Sequence, residues 1–129
     1  MRLLLDTQVL LWALAAPGRL PKPVQIELAV AEVFFSAASI WEIALQRAAG
    51  RLEFEAATIV AAAEETRFTP LSVSARHAAA TASLADRHRD PFDRLLLAQA
   101  LTEPLLLLTS DASLAAHGHP VRLLSSRPP

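Results

Sequence analysis

Four acidic side chains stand where apolar segments end or where helices begin, and together they suggest one metal-binding cleft. Asp6 and Asp111 closely follow short apolar runs, while Glu42 and Asp93 lie in early turns of helical segments. Four carboxylates that face one cleft repel each other strongly, and a bound cation removes that cost. Oxygen-only ligands suit Mg²⁺, with Mn²⁺ as a substitute, and argue against Zn²⁺.

The chemistry expected of such a cleft is hydrolysis at phosphorus. A hard cation neutralises charge on a phosphate, lowers the pKa of a bound water and holds that water in line with the leaving oxygen. This reaction requires no nucleophilic side chain, which agrees with the absence of cysteine and of any G-x-S-x-G sequence.

The same acids also fit a structural role as helix caps. Asp6 and Asp111 precede helical segments, as N-cap residues do. Ser39-Ile-Trp-Glu42 has the S-x-x-E form of a capping box. Asp90 precedes a proline suited to the first helical position, so we assign Asp90 as the cap and Asp93 to the cleft. Because caps need not face one another, four acids on one edge favour the metal site.

Short apolar runs alternate with helical segments along the chain. This alternation predicts an α/β fold, a mostly parallel five-stranded sheet flanked by helices. The carboxyl ends of such strands and the amino ends of the following helices share the edge where ligands bind. We expect residues 1–124 to form a single domain and residues 125–129 a frayed tail. The predicted strands are 2–5, 33–35, 67–71, 105–109 and 121–124, and the predicted helices are 7–15, 23–31, 39–49, 55–66, 74–86, 91–102 and 111–117.

Composition places the chain among single-domain globular proteins. It has 129 residues, of which 53% are hydrophobic and 19% charged, which argues against disorder. It has no cysteine, so thiolate metal sites are excluded and a reducing, cytoplasmic location is expected. The longest apolar run, residues 9–16, is shorter than the roughly 20 residues of a membrane span, so we expect no membrane association. The net charge of −1 does not indicate nucleic-acid binding.

Four sequence blocks occur in a fixed order between residues 3 and 111. They are Leu3-Leu4-Leu5-Asp6-Thr7, Ser39-Ile-Trp-Glu42-Ile43-Ala44, His88-Arg89-Asp90-Pro91-Phe92-Asp93-Arg94-Leu95-Leu96-Leu97-Ala98-Gln99-Ala100 and Leu108-Thr109-Ser110-Asp111. This ordered set resembles the signature blocks of PIN-domain ribonucleases, specifically the VapC-type toxins of type II toxin–antitoxin systems. The resemblance implies a Mg²⁺-dependent endoribonuclease that leaves a 3′-hydroxyl and a 5′-phosphate.

The same resemblance implies roles for individual residues and for partners. The implied acidic metal site and catalytic centre consists of Asp6, Glu42, Asp93 and Asp111, with Thr7 and Thr109 as supporting hydroxyls. A homodimer and neutralisation by a small, VapB-like antitoxin protein are also implied. Gln8 stands where Asn, His or Ser is more familiar, and Ser110 stands where a basic residue is frequent. These two departures bear on the choice of RNA more than on the chemistry.

For the arginines and tryptophans near these blocks, the sequence allows two roles each. Arg87, Arg89 and Arg94 flank Asp93, where they either contact RNA phosphates or pair with nearby acids. Trp12 and Trp41 sit among apolar neighbours, so we expect them in the core or in a dimer interface, with base stacking as the alternative.

Two other classes of function stay open. One is another metal-dependent phosphoryl-transfer enzyme or a receiver-type switch. A haloacid-dehalogenase-like phosphatase has an Asp two residues after its nucleophile, where this chain has Gln8. A receiver domain has a Lys on the active edge, whereas Lys22, the only lysine here, stands elsewhere in the sequence. A non-catalytic, PIN-like RNA-binding module is expected to have lost an acid, and none is lost here. The sequence also lacks the glycine-rich motifs of nucleotide-binding α/β domains.

Overall fold

Five strands form one parallel sheet in the computed structural model of the chain, which describes residues 1–85 and 89–125. The strands are β1 (Arg2–Leu5), β2 (Glu32–Ser36), β3 (Thr69–Leu71), β4 (Leu106–Thr109) and β5 (Val121–Leu123). Their order across the sheet is β3-β2-β1-β4-β5, and every neighbouring pair is parallel. The predicted α/β fold with a mostly parallel five-stranded sheet is confirmed. The predicted tail lies almost wholly outside the described residues.

Helices connect the strands and cover both faces of the sheet. They are α1 (Thr7–Ala15), α2 (Lys22–Val30), α3 (Ala37–Ala48), α4 (Ala56–Glu65), α5 (Ala75–Ala80), α6 (Pro91–Thr102) and α7 (Ala112–Ala115), with 3-10 turns at Pro17–Arg19 and Thr81–Ser83. Within residues 1–85 and 89–125, no helix has both the length and the apolar character to cross a membrane.

The three central strands, β1, β2 and β4, are mostly apolar because both of their faces are buried. Leu5 and Phe35 belong to one hydrophobic cluster, built with residues of α1 to α4. Leu4 and Phe34 belong to a second cluster, built mainly with α6 and α7. Neighbouring residues of a strand point to opposite faces, so the three central strands β1, β2 and β4 each contribute to both clusters. The sheet is therefore a middle layer, and its carboxyl edge stays open between the helices.

Helix α3 begins earlier than the sequence predicts, and the proposed capping box is wrong. Ser36, the last residue of β2, is the N-cap, and its hydroxyl accepts a hydrogen bond from the amide of Ala38 at 3.0 Å. Ser39 and Glu42 both lie inside the helix, facing neighbouring side chains. The strand runs straight into the helix because Ser36 supplies the cap without an intervening loop.

The helix predicted over residues 74–86 is also shorter in the structure. Ser74 and His77 form a reciprocal capping box at its start, and α5 ends at Ala80 before the 3-10 turn. Asp86 lies outside the described residues. Strand β3 begins at Thr69 instead of Arg67, because Arg67 adopts a left-handed backbone conformation with φ of 68°, which a strand does not accommodate.

Candidate active site

An acidic cleft of about 170 Å³ opens at the carboxyl edge of the sheet. Strands β1 and β4 are neighbours, and the residues after them, Asp6 and Asp111, both reach this cleft. Helices α3 and α6 bring Glu42 and Asp93 to the same place. The structure therefore brings together all four acids that the sequence singles out. Thr7, Gln8, Asp90 and Ser110 complete the lining.

Asp6 is a buried carboxylate that caps a helix and faces the cleft at once. One carboxylate oxygen accepts the amide of Val9 at 2.8 Å, which caps α1, and the other accepts the hydroxyl of Thr109. Burial raises the pKa of Asp6 above its usual value, although these hydrogen bonds act in the opposite direction. Asp6 can therefore cap α1 and also line the cleft, because its two carboxylate oxygens have different hydrogen-bond partners.

Glu42 is held by polar neighbours on both of its carboxylate oxygens. The hydroxyl of Thr7 donates to Oε1 at 2.6 Å, and the amide of Gln46, one turn further along α3, donates to Oε2 at 3.1 Å. Thr7 also hydrogen-bonds the buried hydroxyl of Ser39 at 3.0 Å. Burial raises the pKa of Glu42, and the charges of Asp90 and Asp6 raise it further. Hydrogen bonds thus orient both carboxylate oxygens of Glu42.

Asp93 has the most perturbed carboxyl group of the cleft. Its pKa is raised to about 7, first by burial and then by the charges of Asp90, Asp6, Glu42 and Asp111. Four neighbouring acids thus act on one carboxyl group. The acids of the cleft thus disfavour one another's charged forms, and a bound cation would relieve that repulsion.

Asp90 caps α6, as the sequence predicts. Its Oδ1 accepts the amides of Phe92 at 2.8 Å and Asp93 at 3.1 Å, and Pro91 occupies the first helical position. Asp90 is exposed but also lines the cleft, so its charge acts on Asp93 and Glu42. Capping and proximity to the cleft are again combined in one residue.

Asp111 is the most open of the four acids. Its Oδ1 accepts the amide of Ser113 at 2.8 Å, which caps the short helix α7. The hydroxyl of Thr109 accepts the amide of Asp111 at 3.0 Å and donates to Asp6. Thr109 therefore links the ends of β4 and β1, which is a supporting position of the kind the sequence resemblance implies.

The donor set of the cleft suits a hard divalent cation, but the acids do not form a ready-made coordination shell. Among residues 1–85 and 89–125, no three acidic or histidine side chains come close enough together to hold a metal ion. The donors are carboxylate oxygens without sulfur or imidazole, which fits Mg²⁺ or Mn²⁺. Burial raises the pKa values of Asp6, Glu42 and Asp93, and the charges of neighbouring acids raise them further. Side-chain rotation is needed to complete a shell.

The three arginines predicted near RNA differ in their surroundings. Arg94 donates to the carbonyl oxygens of Thr81 at 2.6 Å and Ala85 at 3.1 Å, so it braces the segment before α6. Arg89 is exposed, and Arg87 lies outside the described residues. RNA contact by these arginines stays a prediction.

Sequence reasoning missed the residues that support the site from a distance. Gln46 and Ser39 hold Glu42 and Thr7, and helical spacing from Glu42 could have pointed to Gln46. His77, on α5, is buried and lies 2.6 Å from a carboxylate oxygen of Glu103, which caps the end of α6 opposite to Asp93. Residues 26 positions apart give no sequence signal of such contact.

Comparison with known proteins identifies similar folds. The sequence model of the PIN domain matches residues 3–119. A search among curated proteins found no match. A toxin–antitoxin complex from Klebsiella pneumoniae is similar, with 19% identity, a TM-score of 0.65 and coverage of 95% of this chain and 98% of that one. DNA-bound VapBC from Salmonella typhimurium is 16% identical, with a TM-score of 0.68, and the match covers 95% of this chain and 96% of that one. FitAcB from Neisseria gonorrhoeae is 23% identical, with a TM-score of 0.59, and the match covers 94% of this chain and 95% of that one.

Proposed function

Because this chain belongs to the PIN-domain family, we propose that it is a divalent-metal-dependent endoribonuclease that acts as the toxin of a VapBC-type pair. PIN domains are generally nucleases. The observation that carries the proposal is the convergence of Asp6, Glu42, Asp93 and Asp111 on one cleft, with the pKa of Asp93 raised to about 7. A site of this charge repels a phosphodiester until a cation is present.

The four acids would hold Mg²⁺, or Mn²⁺ in its place. When bound, such an ion neutralises charge on a phosphate oxygen and makes a bound water more acidic. Thr109 and the amide of Val9 orient the carboxylate of Asp6, while Thr7 and Gln46 orient that of Glu42. The protein's own contribution is thus to present oriented carboxylates.

The proposed partners are an RNA substrate and a small, VapB-like antitoxin, and the proposed assembly is a homodimer. The structural neighbours from Klebsiella pneumoniae and Salmonella typhimurium are toxin–antitoxin complexes, which supports an antitoxin partner. The chain contains no cysteine, which suits a reducing compartment, so we place its action in the cytoplasm. We propose that residues 1–124 form the functional domain.

Induction of the protein in bacterial cells, followed by sequencing of RNA ends, tests this function. We expect growth arrest and new 5′-phosphate RNA ends at defined positions, and we expect co-production of the antitoxin to restore growth. Asp6→Asn is the matched inactive control, because Asn keeps a helix cap at this position. Harmless accumulation of folded wild-type protein, without new RNA ends, would overturn the proposal.

A further inference from the structure

A second, larger depression continues from the acidic cleft. This flanking groove has a volume of about 370 Å³ and is lined by Leu45 and Arg51 on one side and Phe92 on the other. It shares Glu42 and Asp90 with the acidic cleft. A chain that lies across the acids would therefore pass directly into the groove.

Beside the flanking groove, the exposed ring of Trp41 packs against the half-buried ring of Phe92, which lines the groove. Trp41 is 58% exposed, and its ring meets that of Phe92 edge to face, with centroids 5.2 Å apart. Leu45, one turn further along α3, is also exposed. The core does not bury this indole. Of the two places predicted for Trp41, the core is therefore wrong, and a dimer interface stays a prediction. An aromatic pair with one exposed ring, beside the acidic cleft, offers a stacking surface for a base.

Charge distinguishes the possible occupants of the groove. Arg51 is the one basic side chain among the described residues that line either the groove or the acidic cleft. Arg51 shares the groove with the apolar side chain of Leu45 and with the ring of Phe92, against which Trp41 packs. A nucleotide offers a flat apolar face and an anionic phosphate, which this combination matches. Bases in a duplex are paired and stacked inside, so only a single strand can use the rings.

We propose that the flanking groove is a subsite for a nucleotide next to the cleaved phosphate of single-stranded RNA. The base lies against Trp41 and Phe92, and the phosphate of that nucleotide pairs with Arg51. The inference rests on the proposed function and adds the residues that position the substrate beside the acids. Arg51 would also supply a basic side chain near the acidic cleft, where Ser110 stands at a position that is frequently basic in the family that the sequence resembles.

Binding of a short fluorescein-labelled single-stranded RNA, measured by anisotropy with Mg²⁺ in the Asp93→Asn protein, tests the subsite without cleavage. We expect Trp41→Ala and Arg51→Gln each to weaken binding at least about fivefold, as loss of a base stack or phosphate contact does. Val30→Ala and Arg76→Gln, which alter an exposed apolar and an exposed basic residue elsewhere, serve as matched controls and should leave binding unchanged. The same RNA annealed to its complement should bind weakly to all variants.

Cleavage kinetics separate failure of the subsite from failure of the proposed function. In otherwise wild-type protein, we expect Trp41→Ala and Arg51→Gln to raise KM and to leave kcat nearly unchanged. If the wild type cleaves RNA and neither substitution changes KM or RNA binding, the subsite proposal is overturned while the function stands. If the substitutions weaken binding of a purified protein partner only, the groove is a protein-docking surface and the proposal is equally overturned. Melting temperatures of all variants confirm that they are folded.

Discussion

At the scale of single residues, the start of α6 divides two tasks between two acids. Asp90 gives one carboxylate oxygen to the amides of its own helix, while Asp93 lies deeper and is the most perturbed acid of the cleft. Asn caps a helix about as well as Asp but is a poorer ligand for a divalent cation. The two residues therefore respond differently to the same substitution.

We predict that Asp90→Asn keeps most of the ribonuclease activity and loses well under ~1 kcal/mol of stability. Asp93→Asn is expected to abolish cleavage while the protein stays folded, with a higher melting temperature as carboxylate repulsion is relieved. Paired kinetics and melting curves measure both effects. Equal loss of activity in two folded variants would place Asp90 in the metal site.

The raised pKa of Asp93 predicts how the stability of the metal-free protein depends on pH. In the unfolded chain this group titrates near 3.8, and in the folded protein its pKa is about 7, so the folded state binds more protons between these values. Stability is therefore expected to fall as pH rises through this window. The pKa values of Asp6 and Glu42 shift in the same direction and add to the trend.

Thermal melting in excess chelator between about pH 5 and pH 8 checks this dependence. We expect the melting temperature of the wild type to decrease with pH, and that of Asp93→Asn to decrease less. Added Mg²⁺ should flatten the wild-type curve, because a cation relieves the repulsion. Identical slopes for both proteins in chelator would show that the charges do not converge on Asp93.

At the scale of elements, the sequence predicted helix bounds correctly where a capping residue or a proline marks the start of the helix. Helix α1 follows Asp6 and helix α6 starts at Pro91, and both have the predicted bounds. Helix α3 does not, because Ser36 competes with Ser39 as a cap and only the path of β2 decides between them. The four cleft acids were predictable because strand ends and helix starts share an edge. The hydrogen bonds that orient these acids were not predictable, because partners such as Thr7 and Glu42 lie 35 residues apart in the sequence.

A buried ion pair between α2 and β5 is a further contact that the sequence does not reveal. Glu27 and Arg122, each 8% exposed, form two hydrogen bonds, one of them 2.9 Å from a guanidinium nitrogen to Oε2. The Nε atom of Arg122 is buried without a partner among the described residues. The pair joins an edge strand to the helix layer. Removing one charge leaves the other uncompensated in a dry environment.

We predict that Glu27→Gln destabilises the protein by about 3–5 kcal/mol, as loss of one member of a buried pair does. The double variant Glu27→Met with Arg122→Met should be markedly more stable than the single variant, because no lone charge is then buried. Urea unfolding followed by circular dichroism gives both values. A single variant within about 1 kcal/mol of wild type would mean that water reaches the pair.

At the scale of the whole molecule, the fold buries both faces of its sheet but leaves large apolar side chains exposed. Among them are Ile26 at 67%, Val30 at 83% and Leu101 at 47%. Hydrophobic residues make up 53% of the chain, which is high for its length. Exposed apolar surface of this kind favours self-association.

We therefore predict a homodimer that keeps the acidic cleft open. Analytical ultracentrifugation at micromolar concentration should give a sedimentation coefficient and mass of a dimer. The dimer should bind the single-stranded RNA probe as described above, because the cleft and the flanking groove stay accessible. A monomer at this concentration would be the contrary result.

Cleavage of single-stranded RNA by purified, metal-stripped protein is the measurement that tests the central claim most directly. We predict no cleavage in excess chelator, full activity after addition of Mg²⁺ or Mn²⁺, and no activity of Asp93→Asn under either condition, because the acids need a hard cation to act on a phosphodiester. Equal cleavage by the wild type with chelator and with Mg²⁺ would contradict the account, and so would a fully active Asp93→Asn protein.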